Sequence, residues 1–185
     1  RDRLDVAMAA DEICTNIANN EKVKGLYLYG PFGTGKSFIL GAVANQLKSK
    51  KISSTIVYLP EFIRTLKGGF KDGSFEKKLE RVREANILML DDIGAEEVTP
   101  WVRDEIIGPF LHYRMVHELP TFFSSNFDYS ELEHHLSMTR DGAEKTKAAR
   151  IIERVKTLST PYYLEGKNYR NNWILSYEVY NGLKS

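Results

Sequence analysis

Apolar residues along this chain follow two rhythms in turn: short unbroken runs, and longer stretches in which they return every third or fourth position. The runs lie at 25–29, 54–59, 86–90, 121–125 and, more weakly, 161–164. Each is nearly continuous in apolar or β-branched residues, as a strand covered on both faces must be. Leu40, Val43, Ala44 and Leu47 return at helical spacing after the first run, as Phe75, Leu79 and Val82 do before the third. Another helix spans 6–17, ahead of the first strand. Thr99 and Pro100 read as the N-cap and first-turn proline of a helix that runs towards Leu119 and is disturbed at Gly108-Pro109. The alternation predicts an α/β fold, an αβα sandwich around a five-stranded, mostly parallel sheet. Segment 67–73, built on Gly68, Gly69 and Gly73, and segment 138–144 read as flexible connections.

Length and composition narrow this to one domain. A chain of 185 residues buries about 70% of its unfolded surface around a single core. With 42% hydrophobic and 28% charged residues it is neither disordered nor collagen-like. Its 26 basic and 25 acidic side chains nearly cancel, so any nucleic-acid contact has to come from a local basic patch. The single cysteine, Cys14, forms no internal disulfide and reads as a small core residue of a cytoplasmic, reducing compartment. No apolar run approaches the roughly 20 residues of a membrane helix. The histidines lack metal-site spacing, His112 and His117 being one residue too far apart for one helical face. Because the chain opens on Arg1, it reads as a piece of a longer protein.

The chemistry concentrates between the first strand and the helix after it. Gly30-Pro31-Phe32-Gly33-Thr34-Gly35-Lys36-Ser37 fits G-x-x-x-x-G-K-[ST] in full. A strand ends at Tyr29 and a helix begins near Lys36, so backbone amides and a helix N-terminus converge on an anion there. In that setting Lys36 reaches the β- and γ-phosphates of a nucleotide and the Ser37 hydroxyl ligates magnesium. The third strand ends in Asp91-Asp92 after Ile87-Leu88-Met89-Leu90, the Walker B pattern of a P-loop nucleotidase. Asp91 then holds the hydrated magnesium, and Asp92 orients or deprotonates the attacking water; the shorter arm of an aspartate points to slow basal hydrolysis. Asn126, after the fourth strand, is either a γ-phosphate or water contact or an ordinary turn former. Arg150 and Arg154 lie one turn apart on one helix face. They either complete a neighbouring subunit's site or form a solvated face paired to Glu153 or Glu144.

Taken in order and at similar intervals, the loop 30–37, Leu90-Asp91-Asp92-Ile93-Gly94, the strand end Phe123-Ser124-Ser125-Asn126 and the helix Arg150-Ile151-Ile152-Glu153-Arg154 resemble the DnaC/DnaI family of bacterial replicative helicase loaders. The resemblance spans nearly the whole chain. It implies a P-loop NTPase of the AAA+ / RecA-like type, one AAA+ domain over 1–185 with a helical insertion over 60–85 and no full helical lid. The activity implied is a slow, assembly- or DNA-dependent hydrolysis of ATP to ADP with Mg2+. The role implied is to help place a DnaB-type hexameric helicase on single-stranded DNA, at the primosome, during replication initiation or restart.

Motif by motif, the resemblance makes Gly30, Gly33, Thr34, Gly35, Lys36, Ser37 and Phe38 the nucleotide-binding positions, with Ser37 and Asp91 at the metal. It makes Asp92, Asn126 and Arg154 the catalytic set, as second Walker B acid, sensor 1 and arginine finger, with Arg150 the alternative finger. Arg170 is the candidate for the family's lid arginine. The partners implied are the replicative helicase, met through a region preceding Arg1, single-stranded DNA, and further copies in a head-to-tail ring or spiral. Within 60–85, Arg64, Lys67, Lys71, Lys77 and Lys78 cluster with Phe62, Phe70 and Phe75 as a candidate DNA surface. Glu61, Asp72, Glu76, Glu80 and Glu84 dilute that charge, and Phe75, Leu79 and Val82 equally fit the buried stripe of a helix. The competing functions are a transposition helper ATPase of the IstB type, a P-loop small-molecule kinase, and a module in which ATP is only a structural ligand.

Overall fold

A run with no polar face has to be covered on both sides, and all five expected runs become strands of one parallel sheet in the computed structural model, which describes residues 2–140 and 142–166. The chain forms α1 (Asp2–Ala18), β1 (Gly25–Tyr29), α2 (Lys36–Ser49), β2 (Thr55–Tyr58), α3 (Leu59–Asp72), α4 (Phe75–Arg83) and β3 (Leu88–Asp91). It continues through a π-helical segment (Val102–Ile107), α5 (Gly108–Val116), β4 (Thr121–Ser125), α6 (Tyr129–Ser137), a short pair β5 (Met138–Thr139) and β6 (Gly142–Ala143), α7 (Lys145–Leu158) and β7 (Ser159–Tyr163). Alternation along the strands divides the core. Leu26, Leu28, Met89 and Phe122 pack with Val6, Ala10, Cys14, Leu40, Val43 and Leu47 of α1 and α2. Tyr27, Leu88, Leu90 and Phe123 face the opposite layer, with Ile63 and Leu66 of α3, Leu111 of α5, Leu132 of α6 and Ile151 and Val155 of α7.

Strand order, not strand sequence, decides what meets at the sheet's edge. The sheet runs β2-β3-β4-β1-β7, so β4 is inserted between β1, which leads into the glycine loop, and β3, which ends in the two aspartates. Register pairs Leu90 with Phe123 and Tyr29 with Ser125. The loops after β1, β3 and β4 therefore open side by side at the carboxyl edge, where ligands of parallel sheets bind.

Three local expectations change. Segment 67–73 is helix rather than loop: α3 continues to Asp72 and breaks at Gly73, where the backbone turns left-handed (φ +72°). Buried Ile63 and Leu66 hold the helix to the core. Its Gly69 allows α4 to begin against it, since a Cβ there would sit 3.1 Å from Phe75 Cα. Segment 138–144 also has order, because Met138 and Thr139 pair antiparallel with Ala143 and Gly142. The helix opened by Thr99, whose Oγ1 accepts the Val102 N–H at 3.2 Å, widens to a π-turn over Val102–Ile107 before continuing as α. Pro109 accounts for the widening, since it has no N–H to donate and its ring crowds the carbonyl a turn earlier. Arg170, and with it the expectation about a lid, lies outside the described residues.

One buried side chain ties the far end of the sheet together. The Arg114 guanidinium, fully buried, donates to the backbone carbonyls of Arg83 (2.8 Å), Ala85 (2.7 Å) and Pro120 (2.9 Å) and to Thr121 Oγ1 (2.8 Å). No carboxylate is among these four partners; burial pushes its pKa down to about 10. Arg114→Met keeps the apolar stem but strands those acceptors, and it is expected to cost roughly 3 kcal/mol or more. Urea denaturation measures this, and a loss below about 1 kcal/mol would contradict the assignment.

Candidate nucleotide-binding site

The loop between β1 and α2 is shaped by its glycines. Gly30 adopts φ +137°, and a Cβ there would lie 2.4 Å from the Leu164 carbonyl oxygen, so only glycine fits. Gly33 and Gly35 are also left-handed, at +77° and +91°. Thr34 is fully buried; its hydroxyl donates to Pro31 O (3.0 Å), and its own carbonyl accepts from Arg3 Nη2 (2.6 Å). Lys36, first residue of α2, sends its ammonium back across the loop to Gly30 O (2.7 Å), Pro31 O (2.9 Å) and Asn126 Oδ1 (2.9 Å).

The neighbouring strands supply the acids. Ser37 Oγ donates to Asp91 Oδ1 at 2.8 Å, and Ser124 Oγ donates a very short hydrogen bond to the same oxygen. Ser124 Oγ also accepts the Asp92 N–H (2.9 Å), fastening the end of β3 to β4. Asn126 donates through Nδ2 to Asp92 Oδ1 (3.2 Å) while its Oδ1 receives Lys36. It thus bridges the cation of the loop and the second acid. Gly33, Gly35, Lys36, Ser37, Asp91, Asp92, Ser124 and Asn126 surround an open cleft of about 600 Å³, with Phe38 and Tyr58 at its exposed apolar rim.

Every residue expected at the phosphate end is therefore gathered in one place, Gly30 and Thr34 through the loop's backbone. Sequence reasoning missed Ser124, Arg3 and Tyr58. Ser124 is placed by strand pairing: β3 and β4 run parallel with Leu90 opposite Phe123, and the residues that follow, Asp91 and Ser124, meet in a hydrogen bond. Arg3 left no signal, being brought in by the docking of α1. The donor set suits a small hard divalent cation: a hydroxyl and a carboxylate oxygen, already 2.8 Å apart, beside a second carboxylate. Among the described residues no cluster of three or more His, Cys, Asp or Glu side chains has metal-binding geometry. Likewise none of the described helices is long and apolar enough to cross a membrane.

The arginines of α7 lie elsewhere. Arg154 does not line the cleft; it borders a separate basic groove with Arg150, Lys147 and His112, and its Nη1 donates to Gly108 O at 2.6 Å. Partial burial, with Arg150 adjoining, lowers its pKa. Neither anticipated pairing forms: Glu153 binds Lys156, and Glu144 binds Lys147 and the fully buried Arg103. Arg103 also chelates Asp104, so the start of α7 is clamped to the π-segment that leads into Gly108, the Arg154 acceptor.

On α3 and α4, Arg64, Lys67 and Lys77 are exposed and Lys78 is half-buried; the side chain of Lys71 lies outside the described set. Arg64 is paired to Glu61. Of the expected aromatic platforms, Phe62 and Phe75 pack against the core, Phe75 lying 6.1 Å from Trp101, and the side chain of Phe70 lies outside the described set.

A parallel sheet with β4 inserted beside β1, a glycine cradle and an acidic strand end together define an AAA+ P-loop ATPase domain. The sequence model of the bacterial DnaA ATPase domain matches residues 4–112. The chain is 54% identical over 151 residues to the replicative helicase loader DnaI of Bacillus subtilis (strain 168), covering 81% of this chain and 49% of that protein. It superposes on a DnaI crystal structure with TM-score 0.76 and 44% identity, covering 87% of this chain and 86% of the other. A putative primosome component from Streptococcus pyogenes serotype M3 gives 0.67 and 35%, over 89% and 82%. The chain belongs to the DnaC/DnaI family of helicase loaders. It spans about half the length of the curated DnaI it matches.

Proposed function

We propose that this chain is the ATP-binding and hydrolysing domain of a helicase loader, which couples nucleotide state to placing a replicative hexameric helicase on single-stranded DNA. The observation that carries the reading is the convergence of Lys36, Ser37, Asp91, Asp92 and Asn126 on one open cleft, in a chain 54% identical to a replicative helicase loader. Bound with Mg2+, the nucleotide supplies a γ-phosphoryl group whose transfer to water spreads negative charge over its oxygens. Lys36 exchanges its carbonyl acceptors for phosphate oxygens, and backbone amides of the glycine loop receive the rest of that charge. Ser37 and Asp91 are the residues that hold the cation. Asp92 orients the attacking water, and Asn126, bonded to both Asp92 and Lys36, fixes the spacing between acid and ammonium.

Arg154 lies outside its own chain's cleft, so its part is to reach the cleft of the next copy in a head-to-tail assembly. The exposed cations Arg64, Lys67 and Lys77 support backbone contact with single-stranded DNA, weakened by the glutamates interleaved with them. The relatives described above favour the loader over the kinase and transposition-helper alternatives. The test uses the full-length protein with its cognate helicase and circular single-stranded DNA. Helicase deposition on the circle is expected to require ATP, and ATP turnover to rise when DNA is added. Equal deposition with and without nucleotide would refute the coupling.

A further inference from the structure

The turn that follows the acidic pair is unusually constrained. Asp92 is left-handed (φ +65°), as is Gly94 (φ +95°), where a Cβ would lie 2.7 Å from the Phe127 ring. From the β4 side, Ser124 O accepts the Ile93 N–H (2.9 Å) and Ser125 Oγ donates to Ile93 O (2.7 Å). From the other side, the Gly94 N–H donates to Glu96 Oε2 at 2.9 Å. Glu96 is only 4% exposed, and its second oxygen has no protein partner. It does not line the nucleotide cleft but a separate groove, with Phe127, Glu131, His134 and His135. A buried carboxyl held by backbone N–H groups, with one oxygen lacking a protein partner, is costly to keep, so its place calls for a reason.

We propose that Glu96 is a positioning residue for the acidic pair: by receiving the Gly94 N–H it holds the left-handed turn that aims the Asp92 carboxylate at Asn126. The inference rests on the reading of Asp92 as the group that orients water. Among the described residues lining its groove, no lysine or arginine faces Glu96 to stabilise its charge. Asp92 stands on the same turn, Glu97 is taken by Arg140, and α6 presents Glu131, His134 and His135. His135 is half-buried, and burial lowers its pKa against a smaller raising effect of the Glu96 backbone. Burial first, and Asp92 in addition, raise the Glu96 carboxyl to about 7. The ionised form is the stronger acceptor for Gly94, so the turn tightens as pH rises through that value.

Three measurements on the full-length protein test this. In wild type, the Gly94 amide proton is expected to titrate with a midpoint near pH 7, and in Glu96→Gln to stay flat; no titration in wild type, or the same one in the variant, overturns the proposal. Because the folded pKa lies above the ordinary 4.5, the native state holds a proton that the unfolded chain releases. That stabilisation is complete below about 4.5 and is lost as pH rises through 7. The melting temperature of Glu96→Gln should therefore gain on wild type between pH 5 and 8, and parallel curves would contradict the assignment. Finally, Glu96→Ala is expected to lower kcat about 10-fold with ATP affinity within about 2-fold, a change carried by the transition state alone. An equal loss of affinity would mark a merely structural role and overturn it. The first two readouts need no ATP turnover, so they stand even where the loader reading fails.

Discussion

Replacing Lys36 by alanine is expected to lower ATP affinity by 100-fold or more, about 2.7 kcal/mol. The ammonium is held over the loop by three acceptors, two of them carbonyls of the loop itself, at 2.7 to 2.9 Å. It is therefore delivered to the phosphates already oriented, and alanine removes both the charge and that preorganisation. The measurement is a calorimetric titration with MgATP, backed by thermal shift: at 100 times Kd a ligand stabilises by about 2.7 kcal/mol, a gain the variant should lack. Affinity within 3-fold of wild type would reject the site. Lys36→Arg separates charge from geometry, because the longer planar fork cannot meet all three acceptors.

The second large effect belongs to Arg154. Changing it to alanine is expected to leave ATP binding by the single chain intact and to lower assembly-dependent turnover roughly 100-fold or more, since a guanidinium that meets the transferring phosphoryl group is worth about 10³ to 10⁵ in rate. Arg150→Ala should do less, because Arg150 is exposed while Arg154 is aimed by the Gly108 carbonyl. The discriminating experiment mixes two inactive proteins, Lys36→Ala and Arg154→Ala. If the arginine acts across the contact, an intact cleft of one meets the intact arginine of the other and part of the activity returns. No recovery in verified mixed assemblies, or normal turnover by Arg154→Ala alone, would remove Arg154 from the mechanism.

What could be read in advance depended on how far apart the cooperating residues stand. The glycine loop was legible because its chemistry is local: residues 30–37 fold on themselves, and Lys36 finds two of its three partners within six positions. The strands were legible for a similar reason, since an unbroken apolar run cannot tolerate water on either face. Boundaries moved where neighbours set them, as for β3, expected at 86–90 and found at Leu88–Asp91 in register with β2 and β4. Segment 67–73 misled because its glycines signal flexibility in isolation, whereas the buried face of α3 and the close approach of α4 outweigh that preference.

By itself, then, the sequence determined the layered α/β plan, the phosphate cradle and the acidic strand end, each encoded by residues adjacent along the chain. Tertiary structure alone decided that β4 stands between β1 and β3, and with it that Asn126 bridges Lys36 to Asp92, that Ser124 grips Asp91, and that Arg103 clamps the helix of Arg154. The reason is entropic and geometric: those contacts join residues some 30 to 90 positions apart, and no local preference specifies a partner until the whole sheet has ordered both ends.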